Sequence, residues 1–358
     1  MRYSRIKNEP TEAGYYHAIC RTIGKAFLFE SEEEKGRLLL WLRKAVDFCG
    51  VELRAWCLMS NHVHLLVKVP PRREVPDDEL LRRMQRLYLP KRYAAILQQW
   101  DNWRRIDGDN RRVDTAKSRL RARMYDISWF MKTFKQAVAQ DYNERHDYSG
   151  SIWGGSRFKS VYLQGSLDVQ LSVAAYIHLN PVRAGIVASA ESYRWSSWHE
   201  ACAAPGDSRT ALLRLYNDNL PSDKPLAWRA IKAQLAAIQS LAKARTDALA
   251  PDDIVPLLPA PSAAPKKPSK APLPPPLAHL LATKAPVLTA SPLLGDESFI
   301  HAFFSHSPSP YAQTRLHRKF VPVAAFPTSP ATSLCTLADL RLGRPRTPPP
   351  SAMLPPTH

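Results

Sequence analysis

The chain has no run of about 18 uncharged apolar residues, so nothing in it is long enough to cross a bilayer as a helix. Its opening residues, Met1-Arg2-Tyr3-Ser4-Arg5-Ile6-Lys7-Asn8-Glu9-Pro10, lack the apolar segment of a secretory signal. The cysteines Cys20, Cys49, Cys57, Cys202 and Cys335 are scattered, odd in number and never spaced as CxxC, which excludes a disulfide framework and a zinc ribbon. The expected setting is therefore reducing and cytoplasmic. No internal repeat is present. Acidic residues are scarce, with 32 Asp+Glu against 50 Lys+Arg, a formal net charge of +18. Such an excess favours a polyanionic partner, most often nucleic acid, over an explanation from solubility alone. A membrane surface is disfavoured because no basic amphipathic helix with an aromatic face stands out.

Proline is sparse at first and dense later: of 32 in 358 residues, 23 lie at or after Pro251. That composition does not sustain a packed domain, so three regions are expected. Residues 1–205 form the main domain, 206–245 a helical accessory segment, and 246–358 a largely disordered tail. Polyproline II stretches are expected at Pro272–Pro276 and Pro348–Pro350. Residues 297–304 are a candidate docking element. The 45% hydrophobic content is enough for a core upstream.

Periodicity predicts strands over 15–22, 51–59, 62–69 and 157–164, with the second and third joined as a hairpin through Ser60-Asn61. Ser31 followed by Glu32, Glu33 and Glu34 predicts a capped helix start, and Gly50 its end. Ile127, Phe130, Met131, Phe134, Ala137 and Val138 predict a helix over 127–145. Ser166 begins another that Pro181 limits. Residues 71–126, with 15 Lys/Arg against 9 Asp/Glu, read as a basic insertion with helices near 77–87 and 91–101. The order β-α-β-β-(insert)-α-β-α predicts an α+β, ferredoxin-like antiparallel sheet with helices on one side.

Two motifs carry chemistry. In His62-Val63-His64 the imidazoles are two residues apart, so on a strand they share a face and can grip one divalent cation. Taken alone, the pair also describes two surface histidines. In Tyr176-Ile177-His178-Leu179-Asn180-Pro181-Val182-Arg183-Ala184-Gly185, Tyr176 and Asn180 are four apart and share a helix face. If that helix crosses the sheet, Asn180 supplies a third ligand oxygen and Tyr176 stands beside the metal. A partly buried Tyr and a helix-end Asn before proline is the plainer reading.

The segment Met59-Ser60-Asn61-His62-Val63-His64-Leu65-Leu66-Val67 resembles the HUH motif of single-tyrosine transposases, and residues 176–185 resemble their nucleophile helix. Order and spacing resemble the REP-associated branch of the insertion-sequence transposases, and Tyr193-Arg194-Trp195-Ser196-Ser197-Trp198 resembles the end of that domain. The resemblance covers about 15–200; it leaves out the tail, and the insertion is longer than the family would suggest. It implies Tyr176 as nucleophile, His62, His64 and Asn180 as ligands of Mg²⁺ or Mn²⁺, and single-stranded or hairpin DNA as substrate. Endonuclease and strand-transfer activity would pass through a 5′-phosphotyrosine. One tyrosine per chain requires either a homodimer or two successive reactions. The competing class is a non-catalytic nucleic-acid-binding regulator with the same fold; a phosphoesterase that uses water is a third.

Other residues are weighed on charge and position. Arg157 and Lys159 share a strand face and are candidate phosphate contacts, as is Arg183. Trp153 is either a base-stacking platform or a core anchor. Arg82, Arg83, Arg104 and Arg105 are candidate grips on DNA backbone. His17 is expected to be a satisfied structural histidine, and His178 to pack or touch DNA.

Overall fold

The computed structural model describes residues 5–108, 110–155, 158–219, 226–247, 293–306, 320–325 and 333–337. The chain begins with β1 (Gly14–Arg21), α1 (Glu32–Cys49), β2 (Glu52–Leu58) and β3 (His62–Val69). The insertion supplies α2 (Asp77–Leu87), α3 (Pro90–Asp107) and α4 (Arg111–Arg121). Then come α5 (Ile127–Arg145), β4 (Lys159–Leu163), α6 (Leu167–His178), α7 (Asn180–Arg183), α8 (Ser197–Ala203), α9 (Asp207–Asn217) and α10 (Trp228–Asp247). Further on lie β5 (Leu293–Leu294), α11 (Glu297–His306), β6 (Phe320–Ala325) and β7 (Ser333–Leu337).

Local chemistry explains the element ends. Ser31 Oγ accepts from the Glu34 amide at 3.1 Å, with three acids in the first turn of α1. Gly50 closes α1 at φ 66°, a left-handed conformation that glycine adopts without strain. Asp126 caps α5 by accepting from Ser128 N at 2.7 Å and Trp129 N at 2.9 Å.

The sheet order is β2-β3-β1-β4-β5. The first four strands are antiparallel and follow the expected ferredoxin-like order. Two features differ from the sequence expectation. Helices cover both faces: α1 and α5 pack together over the face of Ala18, Cys20, Val63, Leu65 and Val67, all buried, whereas α6 lies over the other face, against β2 and β3. A single amphipathic pattern shows that a helix is half-buried, not which side of a sheet it takes. The second difference is β5, drawn from the proline-rich tail and parallel to β4. Gln164 N donates to Leu294 O at 2.9 Å, and the Gln164 amide exchanges bonds with Asp296 at 2.7 and 2.8 Å. Phe299 and Phe303 of α11 pack on Tyr162 of β4, with centroids 6.0 Å apart in each case. So the segment expected as a docking element is a helix seated beside β4, and residues 293–306 are not part of a disordered tail. Two residues are too few to show alternation, which hid β5 from a periodicity argument. Most of the remaining tail, with both polyproline stretches, lies outside the described residues.

The insertion is folded onto the core through buried Leu80, Met84, Leu87, Trp100, Val113 and Leu120. It leaves β3 at Val69, which pairs with Gly14, whereas His62 pairs with Arg21 at the other end of the sheet. The insertion is thus rooted away from the histidine end.

Candidate active site

Register puts the histidines together. Ile19 pairs with His64 and Arg21 with His62, so His17, Ile19, Arg21, His62 and His64 share one face of the sheet. The His62 and His64 ring centroids are 5.0 Å apart. His64 is buried, and its Nδ1 lies 2.9 Å from His17 Nε2. His62 Nδ1 lies 2.6 Å from Asn61 Oδ1, an acceptor, so this nitrogen carries the proton. Both candidate ligands thereby hold Nδ1 in a hydrogen bond and keep Nε2 for another partner, the usual arrangement of a ligand imidazole. Burial first, then the Arg21 charge, lowers the His62 pKa to about 4. Burial, followed by His17, His62, Arg183 and Arg21, holds His64 well below the ordinary range. Both rings are neutral at pH 7, the form that binds a cation.

Helix α6 carries Tyr176 over this cluster. Its ring centroid is 5.9 Å from those of both His17 and His64, edge-on to each. Tyr176 is buried, and burial raises its phenol pKa; Arg183 and Arg21 act in the opposite direction. The Arg183 guanidinium carbon sits 4.0 Å from the centre of the Tyr176 ring, and its Nη2 donates to Tyr176 O at 2.8 Å. α6 ends at His178 and Pro181 enters the short turn α7, which swings Asn180 and Arg183 back toward the tyrosine. Asn180 Nδ2 donates to Tyr176 O at 3.4 Å, which leaves its Oδ1 for another contact.

His62, His64, Tyr176, Asn180 and Arg183 line one cavity of about 930 Å³. Arg21, Lys25, Lys135 and Lys159 also line it, and no carboxylate does. The donor set of two neutral imidazoles and one amide oxygen fits a divalent cation without cancelling its charge. Among the described residues, no group of three His, Cys, Asp or Glu side chains could hold a metal ion; Asn180, whose amide oxygen falls outside that set, lines the same cavity as the two imidazoles.

The other sequence candidates divide. Lys159 lines the cavity; Arg157 lies outside the described residues. Trp153 is a core anchor rather than an open stacking platform: it is buried against Phe29 and Phe134, and its Nε1 donates to Lys135 O at 2.9 Å. Arg83 is likewise structural, bonding Glu79 and donating to Asp47 O and Phe48 O at the end of α1. A cation near a helix C-terminus satisfies carbonyls that the glycine cap leaves over, here those of Asp47 and Phe48. Arg82, Arg104 and Arg105 are exposed, though Arg82 pairs with Asp78, Arg104 with Asp101 and Arg105 with Asn102. His178 packs on Trp198, with its Nε2 2.9 Å from Ser197 Oγ. His17 is structural in its burial, yet its bond to His64 makes it part of the site. Sequence reasoning passed over Arg21, Lys25 and Lys135; Arg21 stands at His17+4 on the same strand face, a signal that was available.

Residues 11–87 match the family described as Transposase IS200 like. Among solved structures, a REP-associated tyrosine transposase bound to a REP hairpin is similar at 16% identity and a TM-score of 0.34, over 57% of this chain and 86% of that one. No curated protein matches this chain. Among the described residues, no helix is long and apolar enough to cross a membrane.

Proposed function

We propose that this chain is a transposase that cuts and rejoins single-stranded DNA, with Tyr176 as nucleophile. The observation that carries this reading is the convergence of a buried tyrosine, paired imidazoles and five Lys/Arg side chains on one cavity free of carboxylates. The match of residues 11–87 to the IS200-like transposases supports it.

A phosphodiester is anionic and repels a nucleophile. Arg21, Lys25, Lys159 and Arg183 supply positive charge that draws the backbone in and favours in-line placement of the phosphorus. Arg183 and Arg21 favour the phenolate of Tyr176, which burial alone would suppress. Attack by Oη forms the phosphotyrosine bond and breaks the bond from phosphorus to O3′. The phenolic proton is released and the departing 3′ oxygen takes one up. One phosphodiester replaces another, so the step reverses readily and permits strand joining. His62, His64 and Asn180 would hold Mg²⁺ or Mn²⁺, which when bound neutralises a non-bridging oxygen. Hairpin or palindromic DNA is the proposed substrate form, and two chains or two successive reactions would complete a transposition.

The test is incubation of the full chain with hairpin oligonucleotides and Mn²⁺, followed by a denaturing gel and mass mapping. A covalent adduct on Tyr176, absent from Tyr176→Phe, is the expected result. Equal cleavage by the variant, or a free 5′-phosphate with no adduct, would favour a water nucleophile. Binding without cleavage by either protein would favour the regulator.

A further inference from the structure

A second cavity, of about 480 Å³, adjoins the first between α5 and the start of β4. Lys135 lines both, Gly154 lines the first and Gly155 the second. The connecting wall is tight: a Cβ on Gly154 would stand 2.7 Å from Thr22 O, so the loop hugs the end of β1. Lys135 Nζ donates to Gly155 O at 2.8 Å and holds the wall in place.

Charge is what marks the second cavity. Arg5, Lys132 and Lys135 line it, and no carboxylate does. That is not a general property of this basic chain. A separate cavity of about 690 Å³ beside β2 mixes its cations with Asp47, Glu52 and Asp207. Arg5 is fixed, its guanidinium carbon 3.5 Å from the Phe158 ring centre and its nitrogens bonded to Ser160 Oγ, Ser128 Oγ and Phe158 O. Lys132 reaches from α5 with Nζ 4.6 Å from the Trp129 ring centre. The ring of Phe158 is covered by Arg5 and that of Trp153 is buried. The cavity therefore offers fixed positive charge and no open base-stacking face.

We propose that a DNA single strand occupying the Tyr176 cavity continues over Lys135 into this second cavity, which holds its sugar–phosphate backbone without reading its bases. This rests on the function proposed above. A positive groove that follows the backbone supplies the sequence-independent, salt-dependent part of single-strand binding.

The test uses the full chain without metal, and a labelled hairpin oligonucleotide either blunt or carrying single-stranded arms. Affinity is measured by fluorescence anisotropy across a salt series for the wild type, Lys132→Ala and Gln136→Glu, both positions being exposed on α5. For the armed hairpin, Lys132→Ala should reduce the slope of log affinity against log salt by about 0.7, the value for one single-strand phosphate contact. Gln136→Glu should weaken binding of the same oligonucleotide. The blunt hairpin should show neither change. Unchanged slopes on the armed hairpin, or equal losses on the blunt one, would overturn the strand track. Loss of slope with no Tyr176 adduct in the cleavage assay would remove the catalytic reading and leave the track standing. An adduct with unchanged slopes would remove the track alone.

Discussion

Arg183 offers the sharpest test of how the buried tyrosine works. Its guanidinium carbon is 4.0 Å from the Tyr176 ring centre, and Tyr176 is 4% exposed. The phenol oxygen lies beyond that centre, so the relevant charge separation is on the order of 5 Å; at an effective dielectric of about 20 this gives about 3 kcal/mol favouring the phenolate. Replacing Arg183 with Gln removes that attraction. If the phenolate is the attacking species, adduct formation near pH 7.5 should slow on the order of 10²-fold. The direction with pH is fixed too. Removal of a cation makes the phenol harder to ionise; burial already holds the Tyr176 phenol above its ordinary range, so both rates should climb with pH across the assay, with the variant below the wild type throughout. Arg183→Lys keeps the charge and loses the planar fork, so it should recover most of the rate. The assay is single-turnover adduct formation on a hairpin oligonucleotide from pH 6.5 to 9.5, with thermal unfolding as a check on the fold. An Arg183→Gln protein with wild-type rate and an unchanged pH profile would refute the argument.

Other consequences are as concrete. His17→Phe deprives His64 Nδ1 of its 2.9 Å partner and leaves the ring orientation unset; Mn²⁺ affinity measured by calorimetry should drop about 10–100-fold, and an unchanged affinity would count against a ligand role for His64. His178 is fully buried, and burial lowers its pKa from 6.5 to about 3. On acidification the unfolded chain takes up this proton first, so stability falls as pH drops below about 6.5; at pH 5 the loss from this residue is about 2 kcal/mol. Urea titrations at pH 7.5 and 5.0 should show a smaller pH effect in His178→Gln. Gly50→Ala forces a side chain into a left-handed position, with its Cβ 2.5 Å from Arg83 Nη1 and 2.8 Å from the Tyr125 ring. It should cost about 1–2 kcal/mol from backbone strain alone, visible as a lower urea midpoint, and a neutral result would refute the strain assigned to this position.

Much of this molecule is written locally. The cap at Ser31, the closing glycine at 50, the hairpin joining β2 to β3 and the shared face of His62 and His64 depend on neighbours within a few residues, so composition and period were enough to place them. The spacing of Tyr176 and Asn180 is local in the same sense. What these motifs meet is not local. The pairing of β1 with β3 brings His17 and Arg21 to the imidazoles, and the crossing of α6 brings Tyr176 over them. Chain reversal at Pro181 folds Arg183 onto the tyrosine ring. The same packing takes Trp153 and Arg83 out of the surface roles their side chains suggested and recruits Leu293–Leu294 as a fifth strand. Sequence alone determined the chemical groups and the elements that carry them, because propensity, capping and alternation act over one or two turns of chain. Only the tertiary structure decided which groups share a cavity and which are spent on the core, because that follows from strand register and helix placement, which join residues far apart in the chain.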